Sequence, residues 1–331
     1  MQLQPSKKIY YEEQQELENI AVIDIGTNTA HLLVVSLSSQ RNIFTPFRVL
    51  HKEKITTKIG EGGISEGYIS LEAQKRLLNA LKHFKEVLDY YEIREDALFA
   101  VATSALRNAK NQRDTLEKVF EETQIKIEVI SGEKEAEYIY YGVKTALKIG
   151  PENALIMDIG GGSVEFILCN DSKLYWKESF EIGAQRLLDK FMPQERISET
   201  NINLMNDFLH KKLQNLSRIL SLYPAKVVIG CSGTFDTLDD INHLKKHRQL
   251  NYNAKESAFS ITEFKAIYQE ILSKNHQERL AIPGMSPMRA DMIVVASSLL
   301  NFILDTYQIP QVRVSHYALK EGLLAKKINI I

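Results

Sequence analysis

Residues 21–37 read AVIDIGTNTAHLLVVSL and residues 154–168 read ALIMDIGGGSVEFIL. Each is an apolar run, then Asp-Ile-Gly, then three small residues, then a second apolar run. Asp24 and Asp158 are 158 − 24 = 134 residues apart. Each copy predicts a strand, a tight turn and a second strand, a β-hairpin with an acidic residue at the turn. A repeat at this distance predicts two domains of similar fold facing each other, not a solenoid of short units.

A third Gly-rich turn lies in VVIGCSGTFDTL, residues 227–238. A strand runs into Gly230-Cys231-Ser232-Gly233-Thr234 and a helix is expected from Thr234. Free N–H groups at a helix start can hold an anion, so Ser232, Gly233 and Thr234 are candidate phosphate contacts. Elsewhere, Ser70 is an N-cap before a helical stripe of leucines, and helices are read at 133–147, 201–222 and 316–327. Ser286-Pro287 reads as N-cap and N1 of a further helix. Strands are read at 99–103, 125–130 and 311–314. Strands alternating with helices make the class α/β. No Pro- or Ser-rich spacer divides the chain. The boundary is expected at the turn of residues 131–133, giving domains 1–131 and 132–331 around a central cleft, and the terminal helix of 316–331 can pack back on the first.

Composition narrows the function. The chain has 331 residues, 44% hydrophobic and 25% charged, enough for two domains with their own cores. Its 41 Lys+Arg against 42 Asp+Glu give a net charge of −1, which argues against a protein that coats nucleic acid. Cys169 and Cys231 cannot build a disulfide framework and fit a reducing compartment. The N-terminus has no apolar signal-peptide core, and the longest apolar stretch, residues 292–304, falls short of the roughly 20 residues of a membrane span. A cytoplasmic protein with no membrane partner is expected. GxxxxGK[ST] is absent, which excludes a P-loop enzyme.

Gly26, Gly160, Gly161 and Gly162 let backbone N–H groups approach a ligand, and Thr27, Asn28, Thr29 and Ser163 add short polar side chains. Such loops suit terminal phosphates. A bare carboxylate beside a phosphate repels it unless it binds Mg²⁺ or orients water, which gives Asp24 and Asp158 a reason to be there. One DIG turn alone is most simply an Asx-capped strand end; two copies with the same flanks, plus the third turn, point to phosphate. Arg107 offers a bidentate fork, although an isolated Arg is more often a salt-bridge partner. Glu133, Glu135 and Glu137 open a helix, and Glu135 lies on a different face from the other two. Glu165 follows the second loop. His243 and His247 lack a third ligand and read as a solvated basic face. Cys231 lacks a base and reads as a buried thiol.

Seven segments in order, IDIGTNTAHLLV, ATSALRNA, VISGEKEAEYIYYGV, IMDIGGGSVEFIL, IGCSGTFDTL, GMSPMRADMIVVASSLL and VSHYALKEGLL, resemble the exopolyphosphatase/guanosine pentaphosphate phosphohydrolase (Ppx/GppA) family. That family belongs to the actin/hexokinase/Hsp70-like superfamily of duplicated ribonuclease-H-like domains. The resemblance implies Glu135 as general base, Asp158 and Glu165 as catalytic metal- and water-orienting carboxylates, Asp24 as a further metal or phosphate-site acid, and Arg107 as a phosphate ligand. It implies Mg²⁺, with Mn²⁺ as a substitute, and a homodimer acting on inorganic polyphosphate or guanosine pentaphosphate. Lys134, Val164, Ser232 and Lys58 depart from the family pattern, where Glu, Thr, Gly and Arg are expected. The chain reads as the short, two-domain form. The alternatives are an ATP-dependent kinase of the same superfamily and a non-catalytic nucleotide or polyphosphate sensor.

Overall fold

Each DIG segment opens a sheet. In a computed structural model that describes residues 18–37, 47–192, 194–251 and 253–330, β1 (Asn19–Ile25) pairs antiparallel with β2 (Thr29–Leu37), and β2 with β3 (Phe47–Thr56). β4 (Leu98–Ala102) and β5 (Ile127–Val129) extend the sheet in parallel on the other side of β1, giving the order β3-β2-β1-β4-β5. The second sheet repeats this plan. β6 (Ala154–Ile159), β7 (Val164–Cys169) and β8 (Leu174–Phe180) form the meander, and β9 (Val227–Cys231) lies parallel to β6. β10 (Glu256–Phe259) and β11 (Val312–Ser315) complete the order β10-β11-β9-β6-β7-β8. Read from its far end, this is the first sheet again with one edge strand added.

The duplication holds at the level of register. Asp24 faces His31 across the first hairpin and Val101 on β4. Asp158 faces Glu165 across the second hairpin and Cys231 on β9. Every residue of β6 and β7 is buried, as expected of central strands covered on both faces.

The helices are α1 (Leu71–Tyr90), α2 (Ser104–Arg107), α3 (Gln112–Thr123), α4 (Gly132–Ala146), α5 (Ala184–Phe191), α6 (Glu199–Lys212), α7 (Gln214–Leu222), α8 (Ser232–Lys245), α9 (Ile261–Ser273), α10 (His276–Leu280), α11 (Met292–Tyr307) and α12 (Leu319–Lys327). Ser70 caps α1 by accepting from the Ala73 N–H at 3.2 Å, as its sequence implies. Ser131 caps α4 through the Lys134 N–H at 3.2 Å.

Three expected helices differ. The span 201–222 breaks at Leu213, whose ψ of 26° leaves the helical well, while Met205, Leu209, Leu216 and Leu220 stay buried on either side. Ser286-Pro287 opens only a short 3₁₀ turn, and α11 starts at Met292. In the gap between them the Ala290 carbonyl accepts from Arg279 Nε. α12 starts at Leu319 rather than His316, because the preceding turn is closed by the Ser315 hydroxyl on the Tyr317 carbonyl at 2.7 Å. No described helix is long and apolar enough to cross a membrane.

Separate apolar cores cover the outer faces of the two sheets. A third lies between the sheets: α4 and α12 pack there against Val22 and Leu33 of the first and Ile156 and Ile167 of the second. The two helices cross with their backbones in contact. A Cβ on Gly322 would sit 1.7 Å from the Tyr138 carbonyl oxygen, and one on Gly142 2.0 Å from that of Ala318. Neither obstacle is a side chain that can swing away. Gly322→Ala therefore forces the helices apart and should cost about 1–3 kcal/mol of stability in urea unfolding. A loss below about 0.5 kcal/mol, the size expected of a surface change, would contradict this crossing.

Candidate active site

A cavity of about 860 Å³ lies where the C-terminal ends of β1 and β6 face each other. Both hairpin turns close in the same way, with Gly26 N–H on the Thr29 carbonyl at 2.9 Å and Gly160 N–H on that of Ser163 at 3.0 Å. The loops touch. A Cβ on Gly161 would lie 2.4 Å from Asn28 Nδ2, and one on Gly162 2.7 Å from Thr27 Oγ1. Close approach between the two loops is thus a reason for glycine here, beside access for a ligand. The second loop is braced from behind by α5, whose leading N–H groups at Gly183, Ala184 and Gln185 donate to the carbonyls of Gly162, Gly160 and Gly161 at 2.8–3.1 Å.

Asp24, Glu135, Asp158 and Glu165 line this cavity beside the loops, and Glu53, Asp236, Asp239, Asp240 and Glu256 line it further out. Burial pushes Asp24 up to about 7, with Lys320 opposing and Asp158 and Glu321 adding to the rise. Burial pushes Glu135 up to about 7 against the pull of Arg107. Asp158 is raised by burial to about 6, partly offset by the Ser232 hydroxyl that donates to its Oδ2 at 2.6 Å. Burial, then Glu135 and Asp158, hold Glu165 well above the ordinary carboxylate range, although Ser179 donates to its Oε1 at 2.7 Å. Ser232 achieves its contact from a left-handed backbone, φ 66°, at the first residue of α8, a conformation unusual outside glycine.

The cavity wall carries Asp24, Gly26, Thr27, Asn28, Thr29, Glu135, Asp158, Gly160, Gly161, Gly162, Ser163, Glu165, Ser232 and Gly233. Two expected phosphate contacts are elsewhere. Thr234 is fully buried, and its hydroxyl accepts from Arg289 Nη1 at 3.3 Å, so it supports a cation rather than a phosphate. Arg107 is committed to protein groups. Its Nη1 donates to Glu135 Oε2 at 2.8 Å and to the Ile130 carbonyl at 3.3 Å, and its Nη2 to Glu181 Oε1 at 3.1 Å. Asp24, Asp158 and Glu165 do not form a protein-only metal cage: among the described residues no three His, Cys, Asp or Glu side chains are gathered to hold an ion. The set fits instead an ion such as Mg²⁺ that takes one or two carboxylates and completes its shell with phosphate oxygens and water.

Sequence reasoning missed the cations of the cleft. Arg289 lines the wall, and its Nε has no hydrogen-bond partner among the described residues. Burial lowers its pKa, while Asp236 and Asp158 pull the other way. Lys320 is buried beside Asp24; burial favours its neutral form, but Glu321, Asp24 and Asp236 outweigh that and raise it. Lys54 is lowered to about 8, chiefly by burial. Nothing in a polar turn or a terminal helix marks an Arg or Lys for a cleft built by distant segments. His243 is half-buried on the cleft wall with its ring nitrogen 3.1 Å from the Asp239 carbonyl, so only His247 sits on a solvated face. Burial drives the Cys231 thiol well above its usual range, which leaves it inert. Lys134 pairs with Glu128 and Lys58 with Glu61 at the surface, and Val164 is buried in β7, so these three departures displace no cleft carboxylate.

The model of the Ppx/GppA phosphatase family matches residues 34–329. The chain belongs to the Ppx/GppA phosphatase family. It is 29% identical to a putative exopolyphosphatase of Haemophilus influenzae, over 93% of this chain and 91% of that one. It is 32% identical to a bifunctional 3-dehydroquinate synthase/phosphatase of Fusobacterium nucleatum over 87% of this chain, and 29% identical to a guanosine-5'-triphosphate,3'-diphosphate pyrophosphatase of Vibrio cholerae over 93%. It spans only 43% and 59% of those two longer relatives. Among solved structures, an exopolyphosphatase from Cytophaga hutchinsonii matches with a TM-score of 0.89 and 36% identity, covering 94% of this chain and 98% of that one. An Aquifex aeolicus family member shares the fold at a TM-score of 0.76 and 24% identity, over 95% of this chain and 98% of that one. The fold of this Ppx/GppA chain is the actin-like two-domain arrangement.

The raised carboxylates of the Ppx/GppA cleft set a pH dependence. Their unfolded values lie near 4 and their folded values near 6–7 or above, so the folded chain holds extra protons between those limits. Stability is therefore lost as pH rises from about 4 through about 7. A divalent cation bound among them offsets that loss only once they are ionised. Mg²⁺ at constant ionic strength should raise the melting temperature more at pH 8 than at pH 5. An equal shift at both, or none at pH 8, would contradict a cation site here.

Proposed function

We propose that the protein is a Mg²⁺-assisted phosphohydrolase that removes the terminal phosphate of a phosphoanhydride. Inorganic polyphosphate is the first substrate and guanosine pentaphosphate the second, with the enzyme acting in the cytoplasm as a homodimer of two-domain subunits whose halves join at residues 131–133. The observation that carries this reading is Glu135: a buried carboxylate poised at about 7, on the wall where two glycine loops meet. A base works best with a pKa near the working pH. Sharing of the family with a putative exopolyphosphatase and a guanosine-5'-triphosphate,3'-diphosphate pyrophosphatase supports the substrate class.

In this reading the loops at residues 26–29 and 160–163 fix the terminal phosphate. Glu135 accepts a proton from a water aligned with the phosphorus. The water oxygen bonds to phosphorus, the bridging P–O bond breaks, and the shortened chain leaves with the bridging oxygen and its electron pair. Arg107 steadies the base, and the Arg289 guanidinium adds positive charge to the cleft wall. Mg²⁺ held by Asp158 and Glu165, with Asp24 opposite, would neutralise phosphate oxygens that these carboxylates otherwise repel. Positioning and charge stabilisation carry most of the rate in such reactions.

Purified protein with Mg²⁺ should release phosphate from polyphosphate or guanosine pentaphosphate in preference to ATP. Glu135→Gln should lower kcat by about 10²–10⁴-fold while the protein still folds cooperatively. Near-wild-type release by that variant would place the base elsewhere. Ligand-induced melting shifts without turnover would favour a sensor.

A further inference from the structure

Glu181 has no counterpart in the reading above, yet it sits at a junction of both halves. It follows β8 in the turn that leads into α5, and that turn is bonded to the glycine loop through Gly183 N–H on the Gly162 carbonyl at 3.1 Å. Its side chain crosses to the first half. Oε2 accepts from the Ser104 hydroxyl at 2.7 Å and from Arg186 Nη2 at 3.1 Å, and Oε1 accepts from Arg107 Nη2 at 3.1 Å. The hydrogen bonds from Asn108, Ser104 and Arg107 outweigh desolvation and hold its carboxyl below the usual range, so it is an anion at neutral pH. The same end of the cleft is tied by Arg186 Nη1 on the Ile64 carbonyl at 3.3 Å and by Ser65 on Asp189 at 3.3 Å.

The Arg107 guanidinium is planar and cannot serve its two carboxylates independently. One terminal nitrogen is on Glu135 and the other on Glu181, so the position of Glu181 sets the plane in which the base is gripped. Without Glu181 the guanidinium keeps Glu135 and the Ile130 carbonyl but can rotate about that edge. We propose that Glu181 is a positioning residue that aims the Glu135 base by fixing Arg107: two carboxylates of the second half hold one guanidinium of the first, so that the base is aligned only when the cleft is closed at this end. This rests on the reading of Glu135 as base. Glu181 itself touches no reacting atom; about 41% of its side chain is exposed, so its worth to overall stability is small.

Glu181→Gln keeps size and one acceptor oxygen but removes the charge that orients Arg107. Its kcat should fall on the order of 10- to 100-fold, the scale of a misaligned reacting group, with KM altered less than about threefold and the melting temperature unchanged. In an Arg107→Ala background the same change should add less than about a twofold loss, because its route is then gone. An unchanged kcat, a full independent loss without Arg107, or a fall in KM with a rise in kcat would each overturn the proposal; the last would mean that Glu181 withholds Arg107 from phosphate. An activity-free readout separates this from failure of the phosphohydrolase reading. In NMR spectra the Arg107 Nη signals should be resolved by hindered rotation in the wild type and averaged in Glu181→Gln. If the wild type released no phosphate from any substrate but this spectral change appeared, the function would fall and the positioning would stand. If the Arg107 signals were identical in both proteins, the positioning would fall.

Discussion

Four carboxylates, Asp24, Glu135, Asp158 and Glu165, leave water together at one cleft, and much of the molecule answers that cost. An unpaired buried charge is expensive, and groups so placed shift toward their neutral forms. All four here are raised. The protein spends cations on them: Arg107 on Glu135, Lys320 beside Asp24, Arg289 near Asp158. It does not neutralise them fully. Adding a phosphate chain alone would make the repulsion worse, so the arrangement suits an ion that arrives with the phosphate and is shared between it and the carboxylates. The net charge of −1 conceals this local contest of acids and bases.

The duplication explains how the carboxylates come together. Two strands carry Asp as their penultimate residue at equivalent registers, and two hairpin turns then meet with glycine against Thr27 and Asn28. The copies have diverged in chemistry. The position opposite Asp24 is His31, while that opposite Asp158 is Glu165. The first loop supplies hydroxyl and amide side chains, and the second supplies a bare backbone and a second acid. Between the two sheets lies the core filled by α4 and α12, which cross at Gly142 and Gly322, and α4 also carries Glu135. The base is thus mounted on the element about which the halves meet, and is trimmed through Arg107 from both of them.

Much of this was legible in the residues. The repeat at Asp24 and Asp158 foretold two similar sheets and a cleft, because hairpin periodicity and a turn signature survive duplication. The loop residues from Gly26 to Thr29 and from Gly160 to Ser163 reach the cleft wall as their local patterns imply, and so do Glu135 and Glu165, whose local patterns left their direction open and which the family resemblance singled out. What was not legible depends on distant segments. Arg107 reads as a phosphate fork, yet three of its five N–H donors go to Glu135 on α4, the Ile130 carbonyl and Glu181 after β8. Thr234 faces Arg289 rather than the cleft. Arg289, Lys320 and Glu181 occupy ordinary helical or turn positions, and only the closing of one half on the other gives them a site. The break at Leu213 and the late start of α11 are likewise not marked by the helical periodicity of those spans.

The central claim is that this cleft activates water against a terminal phosphoanhydride. Turnover in H₂¹⁸O with Mg²⁺ and either polyphosphate or guanosine pentaphosphate tests it directly, with the released phosphate weighed by mass spectrometry. One ¹⁸O atom per phosphate, appearing in step with shortening of the substrate, is the predicted result. Phosphoryl transfer to an acceptor without label, or no phosphate release from either substrate, would contradict it.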